Sequence, residues 1–227
     1  MLWPVVFFLG FLIPFVVRRF GKFEASDPAK ALICLFHKPF IPTNRKNHFY
    51  PLWRTKELKL YTAAFLWGVF SLLFYGAVLL CFPPLYQLWI LVLGLFLFLL
   101  GAIDNKWFIL PDVLTIPLLL LGFLFNYATD FIPFENSLIG AFFGYLLPTL
   151  CLFLTYRFKK DSFGFGDIKL MVALGAWVGF EKLTAIVLLS VLSFGLRALI
   201  FKKKENAYGP DLGLATLLIL FSTFFYH

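Results

Sequence analysis

Charged side chains are scarce in this 227-residue chain: Asp, Glu, Lys and Arg supply 14% of it, against about 25% in an ordinary soluble domain. Apolar residues supply 61%, and that proportion leaves no polar surface for a soluble globular protein, which is therefore excluded. The same scarcity excludes a disordered chain. Cysteine is sparse too. Cys34, Cys81 and Cys151 are too few and too scattered for a disulfide framework or a paired-cysteine zinc cluster. Cys81 and Cys151 lie inside apolar runs and read as small hydrophobes. The sequence holds no internal repeat and no low-complexity tract.

What it does hold is long apolar runs, with a mean hydropathy of +0.88. Runs of the length that crosses a bilayer, or shorter ones suited to a crowded bundle, occur at 2–17, 61–82, 85–103, 113–128, 137–156, 168–180, 183–200 and 212–226. The expected fold is all-α, a polytopic membrane bundle of about eight transmembrane helices, with seven as the fallback because the sixth and eighth runs are short. Two regions are expected: 1–60, an anchor helix followed by a basic loop, and 61–227, the membrane-embedded bundle.

Basic residues set the expected orientation. The first run has none before it and is followed by Arg18, Arg19 and Lys22, the reverse of a secretory signal peptide, so it is expected to remain as an anchor with its N-terminus outside. Alternating from there places 18–60, 104–112, 157–167 and 201–211 in the cytoplasm. With residues at the membrane edges assigned to the nearer loop, 19 of the 20 lysines and arginines fall on that side, and Lys182 alone falls outside. This positive-inside pattern accounts for the net charge of +8 without any nucleic acid, and the basic loops face anionic lipid.

Carboxylates at the ends of membrane helices are costly, so those present are functional candidates. Asp104 closes the third run, Asp112 follows Pro111 at the start of the fourth, and Asp167 follows Gly164-Phe165-Gly166 at the start of the sixth. On the expected topology all three share one membrane face. Asp112 also reads as an ordinary helix N-terminal residue, and Asp167 as an N-cap in a glycine-shaped loop. Asp104 has no such reading, because a helix C-terminus disfavours negative charge. Two carboxyls brought together can share a proton, which is the arrangement of an aspartyl protease: one member activates water and the other donates to the carbonyl oxygen. Gly164 and Gly166 suit this chemistry, since a backbone without Cβ atoms can approach an extended substrate.

At these residues the sequence resembles the type IV prepilin peptidases, membrane aspartyl proteases of the GxGD kind. The resemblance rests on Asp104 to Asp112 within IDNKWFILPDVLTIPLLLLG, on GFGDIKLMVALGAWVG from Gly164 to Gly179, and more weakly on Tyr208-Gly209-Pro210. It covers about residues 85–226. It implies that Asp104 and Asp167 are the catalytic pair, and that Pro111, Asp112, Gly164, Gly166, Lys169, Gly209 and Pro210 support them or bind substrate. The implied reaction is removal of the leader peptide from prepilins or pseudopilins at the cytoplasmic face of a bacterial inner membrane, with no cofactor and no metal. Many members of the family carry two CxxC pairs in the first loop and also methylate the new pilin N-terminus from S-adenosylmethionine. Here that loop has Cys34, His37 and His48, so that cofactor is expected only if methyl transfer is retained. Asp211 has no role on this reading, and oligomeric state is not assigned.

Three other functions compete. A transporter or proton channel would use intramembrane carboxylates as relay groups, more often near the midplane than at one edge. A presenilin-type protease shares GxGD but would cut within a helix, against which Leu110-Pro111-Asp112 argues. The third is a structural subunit of a secretion system.

Overall fold

The computed structural model describes residues 2–20, 51–155, 164–201 and 207–225. Among them the regular elements are helices: α1 (Trp3–Phe20), α2 (Pro51–Cys81), α3 (Pro84–Trp107), α4 (Asp112–Thr129), α5 (Phe134–Thr155), α6 (Phe165–Phe201) and α7 (Gly209–Phe225). Apolar runs form helices because in hydrocarbon each backbone amide and carbonyl has to find its partner within the segment. Five of them contain spans long and apolar enough to cross a membrane, from Leu60–Cys81 to Phe165–Ile200, and Trp3–Arg18 and Gly209–Phe224 are shorter apolar helices. The chain is a polytopic helical membrane protein.

The eight expected runs meet seven helices because α6 joins two of them. Its 37 residues would extend about 55 Å at 1.5 Å per residue, far beyond a hydrocarbon core of about 30 Å. Gly179 interrupts it with φ 77° and ψ 175°, a conformation open to glycine at little cost. The contacts place a reversal there. Gly179 lies beside Ile132 and Asn136 at one end of the bundle, whereas Ser193 and Arg197, further along, meet Asp211 at the other. Helix α6 is thus a hairpin of two arms, one for each expected run.

One loop boundary is corrected. Residues 51–60, assigned to the polar first loop by composition, continue α2 toward its N-terminus, with Pro51 at the first helical position, where its missing N–H costs nothing. The remainder of that loop, 21–50, with Cys34, His37 and His48, lies outside the described residues, as do 156–163 and 202–206.

The chain divides into two compact units, 1–77 and 78–227. In the first, α1 approaches α2 where Gly10 faces Ser71. A Cβ on Gly10 would come within 2.2 Å of the Ser71 Oγ, so glycine is what permits the contact. Phe7 meets Phe65 edge-on beside it, at 6.1 Å between centroids.

In the second unit, α5 and the first arm of α6 touch backbone to backbone. A Cβ on Gly175 would lie 2.2 Å from the Gly140 carbonyl oxygen, and one on Gly144 would lie 2.6 Å from the Met171 carbonyl oxygen. Without a hydrophobic force between helices in lipid, such small-residue contacts supply the association through close packing. Near the break at Gly179, Asn126 Nδ2 donates to the Ala176 carbonyl at 2.7 Å, and Ser137 Oγ donates to the same oxygen. They satisfy a carbonyl that the interrupted helix leaves without its usual partner. Trp177 is buried, stacks on Phe125 and donates its indole N–H to the Leu118 carbonyl at 2.8 Å. These bonds clamp α4, α5 and α6 at one end and so determine where α6 begins at the other.

Candidate active site

The end of the second unit opposite Gly179 gathers the C-terminus of α3 and the N-termini of α4, α6 and α7. Asp104 sits in the last turn of α3, and the chain leaves that helix through Phe108, which takes a left-handed conformation at φ 55° and ψ 34° and donates its N–H to the Asp104 carbonyl. The carboxylate is 5% exposed. Its location at a helix C-terminus is unfavourable for a negative charge, and the compensation comes from α7. The Gly209 N–H, at the first residue of α7, donates to Asp104 Oδ2 at 2.8 Å. Arg197 is also close enough for its charge to act on Asp104. Helix α7 packs on α3 where Gly101 faces Pro210 and Gly213 faces Leu97.

Asp167 belongs to the first turn of α6, three residues after Gly164, rather than capping the helix itself. Its N–H donates to the Gly164 carbonyl at 3.1 Å, and its carboxylate accepts a hydrogen bond from the Gly164 backbone in return. The Asp167 carboxylate thus plays the part of the acidic residue in a capping box, while the Gly164 backbone carbonyl takes the other bond. Gly166 lies against Leu110, and a Cβ there would come within 2.9 Å of the Leu110 Cβ. Gly166 thus lets the start of α6 settle onto the Leu110-Pro111 segment that leads into α4. Asp167 is partly exposed, and it stands close enough to Asp104 for the two charges to act on one another.

Asp112 occupies the first position of α4 after Pro111, as its helix-terminal reading expects. It also has a second partner. Lys169 Nζ donates to Asp112 Oδ1 at 2.6 Å and to Oδ2 at 2.7 Å, tying the start of α4 to the first turns of α6. The two side chains are 47% and 48% exposed, so water screens them and their contribution to stability is small. Asp112→Asn is expected to cost no more than about 1 kcal/mol in a thermal melt of detergent-solubilised protein. A loss of several kcal/mol would show instead that this pair holds the two helices together.

Sequence reasoning left Asp211 without a role and counted Arg197 with the loop charges. In the structure they are partners: Arg197 Nη2 meets Asp211 Oδ2 at 2.6 Å, Ser193 Oγ donates to Asp211 Oδ1 at 3.0 Å, and Arg197 also donates to the Ala207 carbonyl. Next to them the Tyr208 hydroxyl shares a 2.5 Å hydrogen bond with Ser190 Oγ. Burial pushes the Tyr208 phenol above its ordinary range, against the Ser190 bond, and the charges of Asp167 and Asp211 push it the same way. It is a protonated O–H at neutral pH. This network holds the second arm of α6 to the start of α7, and so fixes the Gly209 amide in front of Asp104. The signal was available: an arginine inside one apolar run and an aspartate at the start of the next have to find partners in a membrane.

All the expected site residues, Asp104, Pro111, Asp112, Gly164, Gly166, Asp167, Lys169, Gly209 and Pro210, therefore lie at one end of the second unit. The side chains offered there are two neighbouring carboxyls and two ion pairs, a set suited to proton transfer. The glycine-bearing loop at this end, Gly164-Phe165-Gly166, packs Gly166 against Leu110 instead of opening a cradle for a nucleoside, so the described residues at this end do not fit S-adenosylmethionine.

Several known proteins are similar to this chain. A prepilin leader peptidase/N-methyltransferase from Pectobacterium carotovorum subsp. carotovorum is 39% identical over 151 residues, 63% of this chain and 54% of its own. Proteins of the same name from Neisseria gonorrhoeae and Pseudomonas aeruginosa are 36% and 35% identical, over 57% and 53% of this chain and 46% and 44% of theirs. The chain spans about half the length of these curated relatives. No solved structure matches it. Residues 91–199, which contain both Asp104 and Asp167, match the type IV leader peptidase family.

Proposed function

We propose that this protein is a membrane aspartyl endopeptidase that removes the leader peptide from type IV prepilins or pseudopilins, with Asp104 and Asp167 as its catalytic pair. The observation that carries this reading is the convergence of the two aspartates, from separate helices, at one end of the bundle within reach of each other's charge. The ionised carboxylate takes a proton from water as the water oxygen attacks the scissile carbonyl. The protonated carboxyl gives its proton to the carbonyl oxygen, and collapse of the tetrahedral species then breaks the C–N bond, with the amine leaving protonated. Gly164 leaves room for an extended substrate backbone beside the Asp167 carboxylate and Gly166 seats the start of α6 against Leu110, while Asp112 with Lys169, Pro111, and Gly209 with Pro210 hold the pair's surroundings in place. A transporter is less well supported, because Asp104 and Asp167 stand at helix ends rather than along a path through the membrane.

The finer assignments form part of the same proposal. Residues 1–60 act as anchor and basic segment, the last ten of them as the start of α2, and 61–227 as the peptidase bundle. The protein resides in the bacterial inner membrane with its N-terminus outside and the aspartates facing the cytoplasm, an orientation supported by the distribution of lysine and arginine. Its partners are prepilin substrates and membrane lipid, not nucleic acid. Cysteines introduced near Asp130 and Glu135 are expected to react with an impermeant reagent from outside, and cysteines at positions 45 and 203 are not. Labelling of either of the latter would overturn the orientation.

Co-expression with candidate prepilins, followed by N-terminal sequencing, tests the activity. The expected product begins immediately after the glycine that ends the leader, and an uncleaved prepilin in every pairing would count against the proposal. The relatives' shared name includes N-methyltransferase. For this chain we expect little or no methyl transfer, because its first loop lacks paired cysteines. Mass spectrometry decides: a gain of about 14 Da on most mature pilin molecules would show that the second activity is retained.

A further inference from the structure

Ser190, Ser193, Phe194 and Arg197 follow one another in the second arm of α6 at the spacing of a single helix face, and three of them are polar in an otherwise apolar segment. That face meets the start of α7. Ser193 Oγ donates to Asp211 Oδ1, Ser190 Oγ shares a hydrogen bond with the Tyr208 hydroxyl, and the Arg197 guanidinium lies 5.8 Å from the centre of the Phe194 ring. Arg197 takes two partners on α7's side: its Nη2 meets Asp211 Oδ2 at 2.6 Å and donates to the Ala207 carbonyl. Ala207 stands two residues before Gly209, and Asp211 two residues after it. One guanidinium therefore spans the turn that presents the Gly209 amide to Asp104. Holding such a pair at this depth is costly, since the side chains of Arg197 and Asp211 are only 24% and 5% exposed. Two apolar side chains would join the arm to α7 without that cost, so packing alone does not account for the pair.

We propose that Arg197 is a positioning residue for cleavage, holding the Gly209 amide on Asp104 and setting a positive charge beside that carboxyl. The inference rests on the peptidase reading given above and adds to it a residue that touches neither the attacking water nor the scissile bond. Two observations separate this role from an ordinary tie between helices. A rigid, planar guanidinium that meets both Ala207 and Asp211 fixes those residues relative to each other, and Gly209 between them is left with one orientation. The charges of the pair also act on different groups: that of Arg197 reaches Asp104, whereas that of Asp211 reaches Tyr208. The other charged or titratable groups at this end are Asp167 on the first arm of α6, Lys106 on α3, and Asp112 with Lys169 across α4 and α6.

The test replaces the ion pair by an apolar one. Arg197→Met/Asp211→Leu keeps most of the volume between the arm and α7, and such a replacement of a buried pair is often neutral or stabilising. It is expected to lower kcat for prepilin about tenfold, the scale of weakening one hydrogen bond to a charged group, with KM within about twofold because Arg197 does not touch substrate. Asp211→Asn breaks the same ion pair but leaves the guanidinium on Ala207, and its kcat is expected to stay within about threefold of the unaltered protein's. An unaltered kcat in the double variant overturns the proposal. So does an equal loss in Asp211→Asn, which would make the pair a tie between helices. Should the double variant not accumulate, Arg197→Lys keeps a cation without the planar fork and is expected to lose kcat several-fold; an unaltered kcat there also overturns the proposal. If the unaltered protein cleaves no prepilin, the peptidase reading fails, and a measurement without substrate still tests Arg197. The infrared carbonyl stretch of protonated Asp104, identified as the band that Asp104→Asn removes, is expected to appear at a pH about one unit higher in the double variant, because a nearby cation favours the ionised carboxyl. A band that appears at the same pH in both proteins overturns the proposal.

Discussion

Asp104→Asn and Asp167→Asn are each expected to lower prepilin cleavage by about 10³-fold or more, while the protein still inserts and accumulates in the membrane. An amide keeps the size of the carboxyl but can neither take a proton from water nor share one with its neighbour. Because the two groups act on one substrate in one step, their losses are not additive, and the double variant should cleave about as slowly as either single variant. The structure adds a distinction between them. Asp104 is buried and accepts the Gly209 amide, whereas Asp167 is partly exposed and accepts from the backbone of its own turn. Asn at position 104 can keep the Gly209 bond through its carbonyl oxygen, so the expected loss there is chemical and not a loss of fold. Wild-type processing by Asp104→Asn, measured with purified enzyme and prepilin in micelles, would remove Asp104 from the catalytic pair.

Gly209→Ala is expected to lower cleavage by roughly 10- to 100-fold with little change in the amount of folded protein. A Cβ at position 209 would lie 2.7 Å from Asp104 Oδ2, closer than real Cβ contacts come. Either the carboxylate swings away or α7 retreats, and in both cases the amide bond that compensates Asp104 is weakened. A hydrogen bond to a charged group is worth about 1.5–3 kcal/mol, which sets the scale of the expected loss. Gly101→Ala provides the comparison, because its Cβ would meet Pro210 at 3.5 Å, an ordinary contact between the same two helices, and its expected effect is within about twofold. Equal cleavage by Gly209→Ala and the unaltered protein would mean that the Gly209 amide does not position Asp104. An equal loss in both variants would point to helix packing instead.

That the chain lives in a membrane, and where its helices lie, was legible in the order of its residues, because the preference for hydrocarbon is a sum over one segment and needs no knowledge of its neighbours. Among the described residues each expected run coincides, to within a residue or two at its ends, with part of a helix or with one arm of the α6 hairpin. The same order also marked Asp104, Asp112 and Asp167, since a carboxylate at the end of an apolar run is anomalous whatever surrounds it. Composition failed where a helix outlasts its apolar part, as at residues 51–60, because a charged stretch can continue a helix beyond its apolar run. Which residues meet was decided by the tertiary structure. The Gly209 amide on Asp104, Lys169 on Asp112 and Arg197 on Asp211 each depend on how far one helix is rotated and advanced against another. Those rotations are set by the close contacts of Gly140 with Gly175 and Gly144 with Met171, and by the reversal at Gly179. A hydrophobicity profile carries depth but not azimuth, so it could place Asp211 and Arg197 near a membrane face without showing that they face each other.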